Sequence, residues 1–164
     1  MKKYPVIVAL DGLKLQESIK IAKQLGPHVW GFKVHDVLIR EGFGVIKKLK
    51  KYGKVFVDLK LFDIPTTVER EVAALVAHGA DIISVHATGG KEMLQHAVRA
   101  GGARIAAVTV LSSQAADAHR MLNLASSARA AGVTTLICPA RDVGAVRRIA
   151  TSTFLITPGI RTPH

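Results

Sequence analysis

The chain has 164 residues, 49% of them hydrophobic and 21% charged, a balance that fits a folded globular chain and excludes a disordered one. A single cysteine, Cys138, excludes an intrachain disulfide framework and suits a reducing, cytoplasmic setting, and no apolar run approaches the ~20 residues of a membrane-spanning helix. The formal net charge of +11 points to an anionic partner, but aromatics make up only 5% and do not interleave with the basic residues as a nucleic-acid platform requires, so neither a nucleic-acid nor a membrane partner is expected.

In chain order, short β-rich runs alternate with helical patterns. The runs are PVIVAL (5–10), VWGFKV (29–34), KVFVDL (54–59), DIISVH (81–86), RIAAVTVL (104–111), TTLICP (134–139) and TFLITP (153–158). Most are continuously apolar, as strands buried on both faces of a parallel sheet are. Between the first two, Leu15, Ile19, Ala22 and Leu25 recur at helical spacing and Gly26-Pro27 stops the helix. Lysines crowd KKLKKYGK (47–54), which reads as the solvated face and last turn of a helix. After the third run, Thr66 and Glu69 are spaced as a capping box. Val68, Val72, Leu75 and Val76 form the apolar face behind it, and Gly79 ends that helix. Alanine-rich helices follow around Met93–Val98, Met121–Ala128 and Val143–Ile149. No linker or shift of composition divides the chain, so one domain over 1–164 is expected.

Repeated strand–helix units imply right-handed crossovers and a parallel sheet. The first strand leads into ALDGLKL (9–15), which lacks the GxGxxG of a dinucleotide fold. Polar residues stand instead at the C-terminal ends of nearly every strand: Asp11, Lys33, Asp58 with Lys60, His86, Ser112 and Thr157. A (β/α)8 TIM barrel gathers such ends around one mouth. The expected fold is that barrel with seven of its eight strands, incomplete at the C-terminus.

The stretch VFVDLKLFDIPTTV (55–68) holds the densest chemistry. Asp58 and Lys60 are two apart, so strand periodicity puts them on one face. Pro65 disfavours helix at Ile64 and keeps the loop carrying Asp63 extended. Two carboxylates at one mouth repel unless cations intervene. Lys60 and Lys33 can supply these, each opposite pair contributing about 4 kcal/mol at 4 Å and an effective dielectric near 20, before desolvation. An alternating Lys33–Asp58–Lys60–Asp63 network is expected. It would hold Lys60 charged as a proton donor and set a carboxylate against a substrate anion. A structural salt-bridge cluster is the competing reading. His86 reads equally as a ligand contact or a packed rim histidine. His28, His35, His78, His96 and His119 lack metal-ligand spacing and read as surface, and Cys138 reads as a small buried hydrophobe.

DLKLFDIPTTV (58–68) resembles the DxKxxDIPxT pattern of the orotidine 5′-phosphate decarboxylase family. VALD, GFKVH, SVHATGG and LITPGIR agree with that family in order and spacing along the whole chain. Phe62 stands where the family often has histidine. The resemblance implies conversion of orotidine 5′-monophosphate to UMP and CO2, without metal or organic cofactor, in a homodimer whose sites form at the interface. It implies that Asp11 binds near the ribose, that Lys33 contacts the ribose and tethers Asp58, and that Asp58 faces the orotate carboxylate. Lys60 would protonate C6. Asp63 would enter the partner's site and Thr67 would join the ribose contacts there. Ser112 would meet the pyrimidine, Pro158 line the pocket and Arg161 assist with phosphate. Family members continue past TPGIR with a phosphate-gripping loop, a helix and an eighth strand, which are absent here. A portion of a longer chain, a shortened protein and a short gene product are the three explanations. The alternatives kept are a Mg²⁺-dependent sugar-phosphate decarboxylase or synthase sharing the DxK, and a non-catalytic nucleotide-binding remnant.

Overall fold

The computed structural model describes residues 3–110 and 118–160. Seven strands form one parallel sheet in sequential order: β1 (Tyr4–Ala9), β2 (Val29–Val34), β3 (Lys54–Leu61), β4 (Ile82–His86), β5 (Arg104–Val108), β6 (Thr135–Ile137) and β7 (Phe154–Ile156). The connecting helices are α1 (Leu15–Leu25), α2 (Asp36–Glu41), α3 (Gly44–Lys50), α4 (Pro65–Ala77), α5 (Gly90–Arg99), α6 (Ala118–Ala130) and α7 (Val143–Ile149). Sequential parallel pairing with a helix after each strand curls the sheet into a partial (β/α) barrel. Every expected strand is present. The two edge strands, β1 and β7, carry the exposed apolar side chains Tyr4, Val6 and Phe154, and the Arg104 guanidinium lies 4.8 Å over the Phe154 ring.

Strand alternation sorts the apolar residues into two cores. Val55 and Val57 of β3, Ile83 and Val85 of β4, and Ile105 and Ala107 of β5 point outward, into the layer between sheet and helices. There they meet Val68, Val72 and Leu75 of α4 and Met93, Leu94 and Ala97 of α5. Full burial of each Val, Leu or Ile stabilises by roughly 1.5–3 kcal/mol, so this layer dominates the fold's stability. The opposite parity, Phe56, Ile82, Ala106, Val108 and Ile137, fills the barrel interior. Gly31 makes the β2–β3 contact possible, because a Cβ there would lie 2.3 Å from the Lys54 carbonyl oxygen.

Three local expectations are corrected. The Thr66–Glu69 capping box does not form. Pro65 occupies the first helical position, where its missing N–H is tolerated, and the N-cap is Ile64, whose side chain has no acceptor to offer the first turn. Glu69 is engaged elsewhere: it accepts hydrogen bonds from Arg99 at 2.7 and 3.1 Å and meets His96 Nδ1 at 2.7 Å, joining α4 to α5. His35, His78 and His96 are half-buried with partners rather than surface residues, whereas His28 and His119 are exposed. The lysine-rich stretch is also only partly a solvated face. Lys50 and Lys54 reach Asp81 at 2.5 and 2.9 Å, and Asp81 also accepts the Val55 N–H at 2.9 Å. Burial pushes the Asp81 carboxyl up, but those lysines and that amide outweigh it and hold it below its ordinary range. This cluster lies at the N-terminal ends of β3 and β4, away from the barrel mouth.

Candidate active site

The site grows out of the C-terminal ends of β1 to β4. Register pairs Ala9 with Lys33 and Lys33 with Phe56, so Lys33 shares the interior face with Phe56. Asp58, two residues beyond Phe56, keeps that direction. Asp11 enters from the loop after β1. That loop is anchored at Gly12, whose φ of 76° suits glycine. Both Asp36 carboxylate oxygens accept the Gly12 N–H, at 3.0 and 3.2 Å. Arg40 pairs with Asp36 and donates to the Leu13 carbonyl at 2.7 Å. The Arg40 guanidinium is the main cause of a lowered Asp36 pKa, against a smaller opposing effect of burial. The first turn of α2 thus fastens the loop that presents Asp11.

The charged side chains form an alternating chain. Asp11 Oδ2 lies 2.5 Å from Lys33 Nζ, Lys33 Nζ lies 3.6 Å from Asp58 Oδ2, and Lys60 Nζ lies 2.9 Å from the same oxygen. The Asp58 side chain is only 12% exposed, against 32% for Lys60. Ionised carboxylates are costly to bury unless paired and hydrogen-bonded, and Asp58 has two ammonium groups and a hydroxyl around it. The order of charges is therefore Asp11–Lys33–Asp58–Lys60. Asp63 is not the terminal member expected: it is exposed, and its carboxylate accepts the N–H of Ile64 at 2.6 Å. Its exposed neighbours are Phe62 and Ile64.

Asp58 and Lys60 meet, but not by simple strand alternation. Val57 pairs with Ile83 and Leu61 with Val85, so three residues of β3 stand opposite Ser84 alone. This bulge breaks the ladder, as bulges beside functional sites do. Lys60 takes φ 52°, the one positive value at a non-glycine residue among the described residues. Ser84 bridges the break. Its hydroxyl accepts the Lys60 N–H at 2.9 Å and donates to Asp58 Oδ1 at 2.8 Å. Ser84 is fully buried. A lone hydroxyl inside the apolar run IISVH is the signal the sequence carries for it; it stands within the strand and not at its end.

Two histidines border the chain of charges. His35 Nδ1 lies 2.8 Å from the Asp58 carbonyl oxygen. His86, at the end of β4, stacks edge-on against Phe62 with centroids 5.9 Å apart. Burial holds its imidazole below its ordinary pKa, the Lys60 charge adds to this, and Asp58 opposes it. His86 is therefore neutral at pH 7, a rim residue in contact with the loop after β3. Thr67 lies half-buried in the first turn of α4, and Pro158 is exposed beyond β7. Ser112 and Arg161 lie outside the described residues. Among the described residues no cluster of three or more His, Cys, Asp or Glu is placed to hold a metal ion, and no helix is long and apolar enough to cross a membrane.

A curled parallel sheet with an acid–base chain at its C-terminal edge defines a (β/α)-barrel enzyme. Residues 4–164 match the orotidine 5′-phosphate decarboxylase / HUMPS family. Similar curated proteins include orotidine 5′-phosphate decarboxylases of Wigglesworthia glossinidia brevipalpis, 33% identical over 98% of this chain and 78% of that protein, and of Alcanivorax borkumensis, 36% identical over 96% and 76%. Among solved structures, orotidine 5′-phosphate decarboxylase from Lactobacillus acidophilus superposes with a TM-score of 0.85 at 33% identity, covering 96% of this chain and 81% of that one. A conserved protein from Geobacillus kaustophilus gives 0.86 at 28% identity, covering 94% and 83%. The chain belongs to the orotidine 5′-phosphate decarboxylase / HUMPS family, and it spans about three quarters of the length of these curated relatives.

Proposed function

We propose that this protein decarboxylates orotidine 5′-monophosphate to UMP and CO2, a step of pyrimidine biosynthesis. The observation that carries the reading is the Asp11–Lys33–Asp58–Lys60 chain at the barrel mouth, in a chain of this family. Asp58, held by two cations and a hydroxyl, presents negative charge where the substrate carboxylate would dock. The C6–carboxylate bond breaks, CO2 leaves, and its bonding electron pair remains on C6. Lys60 Nζ, held 2.9 Å from Asp58, gives its proton to C6 and regains one from solvent. Preorganised charges of this kind stabilise a developing anion without reorganising during the reaction. Lys33 spans Asp11 and Asp58, and both it and Asp11 are assigned to ribose hydroxyls. Pro158, Ser112 and Arg161 are assigned to the pocket wall, the pyrimidine and the phosphate.

Homodimerisation belongs to the same proposal. Asp63 is exposed between Phe62 and Ile64, which are 61% and 64% exposed. An acid flanked by bare apolar side chains suits insertion into a partner's site, with Thr67 beside it. A cytoplasmic setting is part of the same proposal, supported by the substrate class. Loss of orotidylate absorbance on mixing with purified dimer tests the function. Lys60→Ala should abolish turnover and keep UMP binding. Failure of the dimer to consume substrate would refute the reading, and normal turnover by Lys60→Ala would remove the proton-donor assignment.

A further inference from the structure

We infer that Ser84 is a positioning residue for decarboxylation, setting the Asp58 carboxylate and the Lys60 backbone through one hydroxyl. The inference rests on the decarboxylase reading. A serine hydroxyl has one proton to donate and lone pairs to accept, and Ser84 uses both: the proton goes to Asp58 Oδ1 at 2.8 Å and a lone pair takes the Lys60 N–H at 2.9 Å. With Oδ1 so engaged, Oδ2 faces both ammonium groups, 2.9 Å from Lys60 and 3.6 Å from Lys33. The Lys60 amide falls inside the stretch where β3 and β4 lose register, so the side chain supplies what the ladder does not. Ser84 is fully buried, and an alanine there would leave a buried N–H and a carboxylate oxygen unpaired together. Both hydrogen bonds of the Ser84 hydroxyl go to Asp58 and the Lys60 amide. It acts by holding those two residues in place, and displacements of about 1 Å in such groups cost on the order of 100-fold in rate.

Ser84→Ala, Ser84→Thr and Ser84→Cys, made in the whole chain, test this. Four quantities are read: kcat and KM on orotidine 5′-monophosphate, UMP affinity, thermal midpoint, and exchange of the C6 hydrogen of bound UMP in D2O. The expected Ser84→Ala result is a kcat lowered roughly 10- to 100-fold, with C6 exchange slowed in parallel and KM and UMP affinity within about threefold. Threonine, which keeps the hydroxyl, should restore kcat to within about fivefold of wild type. Cysteine, a weaker donor of similar size, should fall between serine and alanine, and it decides the matter where threonine does not fold. A Ser84→Ala kcat within twofold of wild type, or a loss explained wholly by the unfolded fraction, overturns the inference alone. A wild type that consumes no substrate overturns the decarboxylase reading and this inference with it.

Discussion

Glycine at position 60 should give a more stable protein than alanine at position 60, the reverse of the usual order within a strand. The reason is the φ of 52° at Lys60. An L-residue in the left-handed region suffers about 1–2 kcal/mol of Cβ–carbonyl crowding, which glycine escapes. Glycine loses about 0.5–1 kcal/mol relative to alanine through the entropy of its unfolded chain. At mid-range the difference leaves about 0.75 kcal/mol in favour of Lys60→Gly over Lys60→Ala, or ~1.5–3 °C in thermal midpoint for a domain of this size. Both substitutions delete the ammonium beside Asp58, so that loss cancels between them. Only the backbone term remains, which is why the pair is compared with each other and not with wild type. Urea titrations of both variants, with slopes checked for equality, give the number. Both should lack decarboxylase activity. An alanine variant more stable than the glycine variant by 0.5 kcal/mol would show that residue 60 returns to extended backbone once the lysine is gone. The bulge would then be a product of the side-chain ion pair, not a feature of the β3–β4 pairing.

Three further outcomes follow from the charges and burial. His86 has a folded pKa below its ordinary 6.5, through burial and then the Lys60 charge; the unfolded chain binds more protons in that window, so stability is full above pH 6.5 and falls as pH drops through the folded value. His86→Gln should flatten the dependence of urea midpoints between pH 7 and 5, and an unchanged slope would refute the assignment. Glu69 is held at about 2 by Arg99, with His96 adding to it. Its contribution is present above pH 4.5 and lost as pH falls toward 2, so the stability gap between wild type and Glu69→Gln should close over that range, and a gap constant down to pH 2 would count against it. Cys138 is buried, and burial pushes its thiol pKa up; a disulfide reagent should react with it only as fast as the chain unfolds, and rapid stoichiometric labelling of native protein would contradict that.

Much of the architecture was legible because it depends on local pattern. Seven apolar runs with helical periodicity between them imply the parallel sheet, and each run became a strand. The placement of Asp11, Lys33, Asp58 and His86 at strand ends was equally readable, since parallel strands bring like ends together. The capping box failed because Thr66 and Glu69 fit the spacing, yet Pro65 began the helix two residues before that box would have and α5 offered Glu69 an arginine and a histidine. His35, His78 and His96 were misplaced at the surface because their partners are backbone carbonyls and a carboxylate, two of them distant in sequence.

Local pattern settled the set of charges and the edge on which they stand, because alternation and strand–helix order are properties of the chain's own periodicity. Which charges touch was decided by the tertiary structure. Asp11 pairs with Lys33 because α2 anchors the loop after β1, an arrangement that depends on Asp36 and Arg40 meeting Gly12 and Leu13 across more than twenty residues. Asp63 leaves the network because the chain after Leu61 turns outward into α4. Lys60 reaches Asp58 through a bulge that exists only where β3 lies against Ser84 of β4. Strand periodicity acts over two residues, whereas register between strands is set by their packing, and the site is built on the register.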